Sequence, residues 1–212
     1  MDTAFWHERW ESGQIGFHEG EGNALLTTHL DVLGLERGAR VFVPLCGKTR
    51  DIPWLLSKGY RVIGAELSEI AVRDLFSDID VTPEISAIGD LTLYRADGVD
   101  VFVGDVFALD AATLGAVDAV YDRAALVALP DDMRARYAAH IPAITGGVPQ
   151  LLITFDYDQA VMPGPPFSVP PAAVHRFFDA GFTVTEVSRR PVEGKLKGQA
   201  EAVEILWHLV PR

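Results

Sequence analysis

The sequence predicts a single α/β domain built on a mainly parallel sheet with helices on both faces, and three observations carry that reading. Val41-Phe42-Val43 breaks off into Pro44-Leu45-Cys46-Gly47 and then into a helix start, the strand–turn–helix signature of a nucleotide-binding unit. An acid, Glu66, closes the next apolar run, Val62-Ile63-Gly64-Ala65, 19 positions after Gly47. Apolar runs then alternate with helical patterns to the end of the 212-residue chain, as a parallel sheet covered on both faces requires.

The elements follow in order. Residues 3–12 bring together Phe5, Trp6 and Trp10, with Trp6 and Trp10 four apart on one helical face. Residues 14–22 are glycine-rich and loop-like. A second helix is expected from about Asn23 to Leu33, with Asn23 as its cap and Gly34 at its end. Residues 1–38 are thus expected to form a helical segment, either packed on the sheet or closing as a lid, and residues 39–212 the sheet core. Strand 41–43 leads to a helix near 51–58 that stops at Gly59, and strand 61–66 leads to a helix capped by Ser68 with Glu69 in its first turn. Residues 92–95 and 99–103 flank Asp97-Gly98, a hairpin signal, and the second run ends at Gly104-Asp105.

Residues 117–121 form the next central strand, ended by Asp122-Arg123, and a helix follows Pro130-Asp131-Asp132. Residues 150–155 read as a buried strand running into Asp156 and Asp158. A proline-rich loop over 162–171 and a helix at about 172–179 come next. The last two strands, near 182–188 and 202–209, are joined by residues 191–199, too short for a parallel crossover, so they are antiparallel neighbours.

Composition excludes several classes. A net charge of −12 without a basic run argues against nucleic acid, whose phosphates need a concentrated Lys/Arg surface. The single cysteine forbids an intramolecular disulfide and points to a reducing cytoplasm. The first ten residues lack the basic start and apolar core of a signal peptide, and no apolar run approaches the roughly 20 residues of a membrane span. A cytoplasmic monomer with neither a membrane nor a nucleic-acid partner is the expectation. The six histidines show no paired ligand spacing, so no metal is expected.

A dinucleotide needs glycines where its pyrophosphate meets the backbone, but this turn keeps only Gly47, with Leu45 and Thr49 at the crowded positions. A ligand without phosphates removes that demand. S-adenosylmethionine is such a ligand, and Glu66 would supply the acid its ribose hydroxyls need, with Gly104-Asp105 near the adenine edge. The turn therefore leans towards methyl transfer. Hydride transfer, and a module that holds the same ligand without catalysis, remain as alternatives.

The blocks Val43-Pro44-Leu45-Cys46-Gly47-Lys48, Val62-Ile63-Gly64-Ala65-Glu66-Leu67-Ser68-Glu69, Tyr121-Asp122-Arg123-Ala124-Ala125-Leu126 and Gly164-Pro165-Pro166-Phe167 closely resemble the thiopurine S-methyltransferase family. So does the opening Phe5-Trp6-His7-Glu8-Arg9-Trp10, followed by Gln14-Ile15-Gly16-Phe17-His18. The resemblance implies a Rossmann-like class I methyltransferase: a seven-stranded sheet with an antiparallel last strand and an N-terminal helical lid. It implies methyl transfer from S-adenosylmethionine to aromatic or heterocyclic thiols such as thiopurines, leaving S-adenosylhomocysteine.

It also implies site residues. Trp6 and Phe17 would close over the cofactor, and Leu45, Gly47 and Leu67 would contact it. Glu66 would hold the ribose, and Asp105 and Val106 would flank the adenine. Arg123, the candidate catalytic residue, would sit between cofactor and acceptor, with Trp10, Phe17 and Phe167 also facing the acceptor. The match weakens after about residue 188, where family members often carry a longer arginine-containing segment and this chain has the short run 191–198. Resembling proteins also suggest selenite, tellurite or halide as acceptors.

Methyl transfer from a sulfonium is an in-line displacement in which the protein mainly positions the reactants, so a thiol already ionised needs no strong base. Asp156 and Asp158 could orient a water or cap a loop. Cys46 reads as a small core residue, and loop 162–167 as either an acceptor wall or a rigid connector.

Overall fold

The structure, a computed structural model, describes residues 3–14 and 22–212. Two helices, α1 (Thr3–Glu11) and α2 (Ala24–His29), precede β1 (Arg40–Pro44). The Asn23 side chain caps α2 by accepting from the backbone N–H of Leu25 and Leu26, and a 3-10 turn over Leu30–Leu33 ends at left-handed Gly34. Then follow α3 (Asp51–Ser57), β2 (Arg61–Glu66), α4 (Glu69–Asp78), β3 (Glu84–Ile88), β4 (Leu91–Ala96) and β5 (Val99–Val103). A short α5 (Ala111–Leu114), β6 (Ala119–Asp122), α6 (Asp131–Thr145), β7 (Gln150–Tyr157), α7 (Pro171–Phe178), β8 (Phe182–Pro191) and β9 (Ala202–Pro211) complete the chain.

The sheet has nine strands in the order β3-β4-β5-β2-β1-β6-β7-β9-β8. Strands β5, β2, β1, β6 and β7 run parallel, while β9 is antiparallel to both β7 and β8. The antiparallel last strand and the hairpin turn at Asp97-Gly98 agree with the sequence reading, since Ala96 pairs with Val99.

The seven-strand expectation is corrected to nine, because β3 and β4 extend the sheet past β5 as an antiparallel ribbon. All five residues of β3 are exposed, Ile85 and Ile88 among them, so this edge strand has no buried face to announce it. Its register depends on the two-residue turn Gly89-Asp90 between paired Ile88 and Leu91.

Alternation along each strand builds two cores. Val41, Val43, Val62, Tyr121, Leu151 and Ile153 face one side with Leu26, Leu55 and Phe76 of α2, α3 and α4. Phe42, Ile63, Val120 and Leu152 face the other with Tyr137, Ile141 and Phe178 of α6 and α7. A buried carboxylate ties three elements together: Asp51 accepts from the Asn23 N–H (2.6 Å) and from the Tyr121 hydroxyl (3.0 Å). With five strands parallel, the loops after β1, β2, β5, β6 and β7 meet at one edge of the sheet, where open α/β sheets bind ligands.

Candidate active site

Three elements converge on Glu66, the last residue of β2. Its Oε2 accepts the Gly47 N–H at 2.7 Å and its Oε1 accepts the Ser68 N–H at 2.8 Å, so one side chain clamps the turns after β1 and β2. The residue is only 7% exposed, yet it lines a cavity of about 530 Å³. Burial pushes its carboxyl above the usual range, opposed by the N–H groups of Ser68, Gly47 and Leu67 and by nearby His7. Each oxygen takes one of these clamping bonds, and a carboxylate offers about four acceptor positions in all, so capacity remains for a ligand.

Gly47 is left-handed (φ 52°), and a Cβ there would stand 3.1 Å from the Trp10 ring. The glycine lets α1 lay that indole on the turn. Gly104, after β5, donates its N–H to the Glu66 carbonyl at 2.9 Å, and a Cβ there would collide with Leu91 at 2.6 Å. The next residue, Asp105, caps a 3-10 turn at Val106 through the Phe107 N–H.

Farther along the edge, β6 ends in buried Asp122 and presents Arg123. Asp122 accepts the Tyr137 hydroxyl at 2.7 Å and the Leu126 N–H at 3.1 Å, two bonds that hold the turn and do not involve the arginine. Burial pushes the Asp122 carboxyl up to about 6, against hydrogen bonds from Tyr137, Leu126 and Ala125. A folded-state value above the unfolded 3.8 means that the native state binds more protons. Stability from this group is therefore full at acid pH and falls as pH rises from about 4 to 6, by about 3 kcal/mol at 1.4 kcal/mol per pH unit. Asp122→Asn, neutral throughout, is expected to flatten that slope when urea-unfolding midpoints are compared across the window. Equal slopes in the two proteins would refute the burial argument.

Beyond Arg123 the wall continues with Phe155 of β7, Pro165 and Pro166 of the proline-rich loop, and Leu196 and Lys197 between β8 and β9. The loop is pinned by the Phe167 N–H donating to the Val127 carbonyl at 2.7 Å and by Arg134 Nη1 donating to the Ser168 carbonyl at 3.1 Å. Among the described residues, four non-glycines have positive φ, and three of them, Leu45 (47°), Ala124 (64°) and Lys197 (50°), line this cavity. Backbone strain of this kind collects at functional sites.

Of the residues to which the sequence points, the cavity brings together Trp6, Trp10, Leu45, Gly47, Glu66, Leu67, Asp105, Val106 and Arg123. Phe17 lies outside the described residues. Phe167 is off the cavity wall: its ring sits 5.6 Å from the Arg134 guanidinium, while Pro165 and Pro166 take the wall position. Asp156 and Asp158 are also off the wall, and Asp158 caps the Ala160 N–H.

Sequence reasoning missed Arg9, Met133, Arg136, Leu196 and Lys197, which line the cavity from α1, α6 and the β8–β9 connection. Helical spacing with Trp6 could have flagged Arg9. The cavity also touches Cys46, whose thiol burial and the Glu66 charge push well above its usual range, so it is a poor nucleophile. Cys46→Ala is expected to keep turnover, checked by initial rates; loss of activity in a folded variant would give the thiol a role.

No helix among the described residues is long and apolar enough to cross a membrane. The family model described as Thiopurine S-methyltransferase (TPMT) matches residues 1–211. A thiopurine S-methyltransferase of Xanthobacter autotrophicus is 57% identical over 210 residues, covering 99% of both chains. One from Gluconobacter oxydans is 47% identical, covering 99% of this chain and 96% of its own. Among solved structures, the 1,6-didemethyltoxoflavin-N1-methyltransferase of Burkholderia thailandensis matches with TM-score 0.65 at 18% identity, over 98% of this chain and 87% of that one. A TehB-like SAM-dependent methyltransferase from Corynebacterium glutamicum matches with TM-score 0.60 at 15% identity, over 99% and 98%. At such identities the structural likeness establishes the fold.

Proposed function

The chain belongs to the thiopurine S-methyltransferase family, and on that premise we propose that it transfers the methyl group of S-adenosylmethionine to the sulfur of aromatic or heterocyclic thiols such as thiopurines. The observation that carries the reading is the order of the cavity wall along the sheet edge. Asp105, Glu66 and Gly47 lie at the ends of β5, β2 and β1, while Arg123, Phe155 and the prolines lie at β6, β7 and beyond. One cavity thus has a half suited to an adenosyl group and a half suited to a flat apolar acceptor.

The residues fit that cofactor. Glu66 is a buried carboxylate with acceptor capacity to spare, beside a glycine turn that a Cβ would fill. The cavity volume of about 530 Å³ suits a ligand of this size. Glu66 would accept from the ribose hydroxyls, and Asp105 and Val106 would flank the adenine. Leu45, Gly47 and Leu67 would line the path between them. Trp6 and Trp10 of α1 would cover the site as part of a lid formed by residues 1–38 and keep water from the reacting atoms.

When bound, S-adenosylmethionine supplies a sulfonium methyl: the thiolate pair forms the new S–C bond, the old C–S bond breaks, and its electrons leave on the sulfur of S-adenosylhomocysteine. Arg123 would hold the sulfur as thiolate and in line. The thiol proton goes to solvent before binding, because an aryl thiol ionises readily. A cytoplasmic monomer acting on small molecules belongs to the same proposal.

Methyl-labelled S-adenosylmethionine incubated with aryl thiols, thiopurines, selenite, tellurite and iodide tests it. Label in an aryl or heteroaryl thioether is expected. Transfer only to the inorganic anions would move the acceptor to that class. Tight cofactor binding with no transfer at all would favour a binding module.

A further inference from the structure

Pro165 and Pro166 are the part of the β7–α7 loop that lines the cavity. Proline has no N–H, and both carbonyls are already engaged: Pro166 accepts the Tyr157 hydroxyl at 2.7 Å and Pro165 the Lys197 ammonium at 2.7 Å. None of residues 158–170 belongs to a helix or a strand, so no ladder holds this wall and its shape depends on side chains.

Gln159 supplies several of the ties. Its Oε1 accepts the Ser168 N–H at 2.8 Å, and its Nε2 donates to the Met162 carbonyl at 2.7 Å and to the Tyr157 hydroxyl at 3.1 Å. An N–H can only donate and a carbonyl only accept, so the amide has one orientation and closes the loop across its base. Buried Tyr157 receives from Gln159 while it donates to Pro166, and its own N–H donates to the Ser168 hydroxyl at 3.1 Å.

Phe167 adds packing to these bonds. Gly164 is left-handed (φ 84°), and a Cβ there would stand 2.6 Å from the Phe167 ring, so the ring lies directly on the glycine. The guanidinium of buried Arg134 is 5.6 Å from the ring centre, and the Phe167 N–H holds Val127, a residue of the cavity wall.

We infer that Gln159 and Phe167, neither of which lines the cavity, are positioning residues that fix the Pro165–Pro166 wall and thereby make the acceptor site a thickness filter. Thin, flat aryl and heteroaryl thiols enter it, and thiols with groups standing out of the ring plane do not. This rests on the thiol-acceptor reading and deepens it. A packed wall accommodates an extra methyl only by shifting backbone, and here a shift breaks hydrogen bonds of the loop.

The test compares kcat/KM for 4-methylbenzenethiol and 4-tert-butylbenzenethiol, which ionise alike and differ in thickness at one end of the ring. Wild type is expected to favour the methyl compound by about tenfold, the low end of what an apolar pocket achieves against added carbon. Gln159→Ala and Phe167→Ala are each expected to bring that ratio down to about twofold, by lowering KM for the thicker thiol, with S-adenosylhomocysteine affinity unchanged. Gln159→Glu keeps the size and the Ser168 bond but has no donor when ionised, so it is expected to behave as Ala does, while Phe167→Tyr keeps the ring and the wild-type ratio. A general loss of stability would instead weaken both thiols and the cofactor product together and leave the ratio in place.

A wild-type ratio near one, or a ratio unmoved in either folded Ala variant, would overturn the filter and leave thiol methylation standing. If an Ala variant does not fold, Gln159→Glu or Phe167→Leu is read in its place. If wild type methylates neither thiol, the thiol-acceptor reading fails, and calorimetric binding of 4-methylphenol and 4-tert-butylphenol with S-adenosylhomocysteine present decides the filter. A preference for the thinner phenol that Gln159→Glu loses supports it, and equal affinities refute it.

Discussion

Glu66→Gln is expected to weaken S-adenosylmethionine binding by about a hundredfold, or about 3 kcal/mol, with little change in secondary structure. The carboxylate lines the cavity where β1, β2 and the turns after them meet, and both its oxygens already take backbone N–H groups. An amide of the same shape keeps one acceptor. It must turn its NH2 towards either the Gly47 or the Ser68 N–H, so a ribose contact and part of the clamp are lost together.

The pH dependence gives a second check. Because burial raises the Glu66 carboxyl, the acid takes up its proton at a higher pH than an ordinary carboxylate. Wild-type affinity is therefore expected to fall as pH drops through a window above the usual carboxylate range, and the Gln variant to be flat there. Calorimetric titration with S-adenosylhomocysteine measures both. Affinity within threefold of wild type would reduce Glu66 to a turn clamp.

Arg123→Ala is expected to lower kcat by about two orders of magnitude and leave the thermal unfolding midpoint close to wild type. The separation follows from the local geometry. The turn after β6 is held by Asp122 through Leu126 and Tyr137, and neither bond passes through the arginine. Arg123 lines the cavity just after β6, where its guanidinium would stabilise a thiolate with a charge-assisted contact. Single-turnover kinetics with a saturating aryl thiol distinguish lost chemistry from lost binding. Wild-type kcat in this variant would remove Arg123 from the reaction.

Much of the fold and of the cofactor half of the site is legible in the order of the residues. The break at Pro44-Leu45-Cys46-Gly47, the acid at Glu66 and the cap at Ser68 are short-range signals. Each depends on residues within a few positions, and each falls where the sequence places it. The β3 strand is not legible, since its short run with Ile85 and Ile88 buries no face and takes its place only from pairing with β4. Phe167 misleads because an aromatic in an apolar loop reads as pocket lining. Its ring is instead engaged by Arg134, whose side chain comes from another element.

By itself, then, the sequence determined the parallel core, the cofactor turn and the family, because strand period, turn chemistry and motif order are local. Only the tertiary structure decided which side chains share a wall. Trp10 lies over Gly47, Lys197 reaches the Pro165 carbonyl, and Arg9 lines the same cavity, from segments as far apart as α1 and the β8–β9 connection. The physical reason is the strand order. It carries β7, β9 and β8 to one side of β1 and β5 to the other, and no local pattern encodes which distant loops that order brings together.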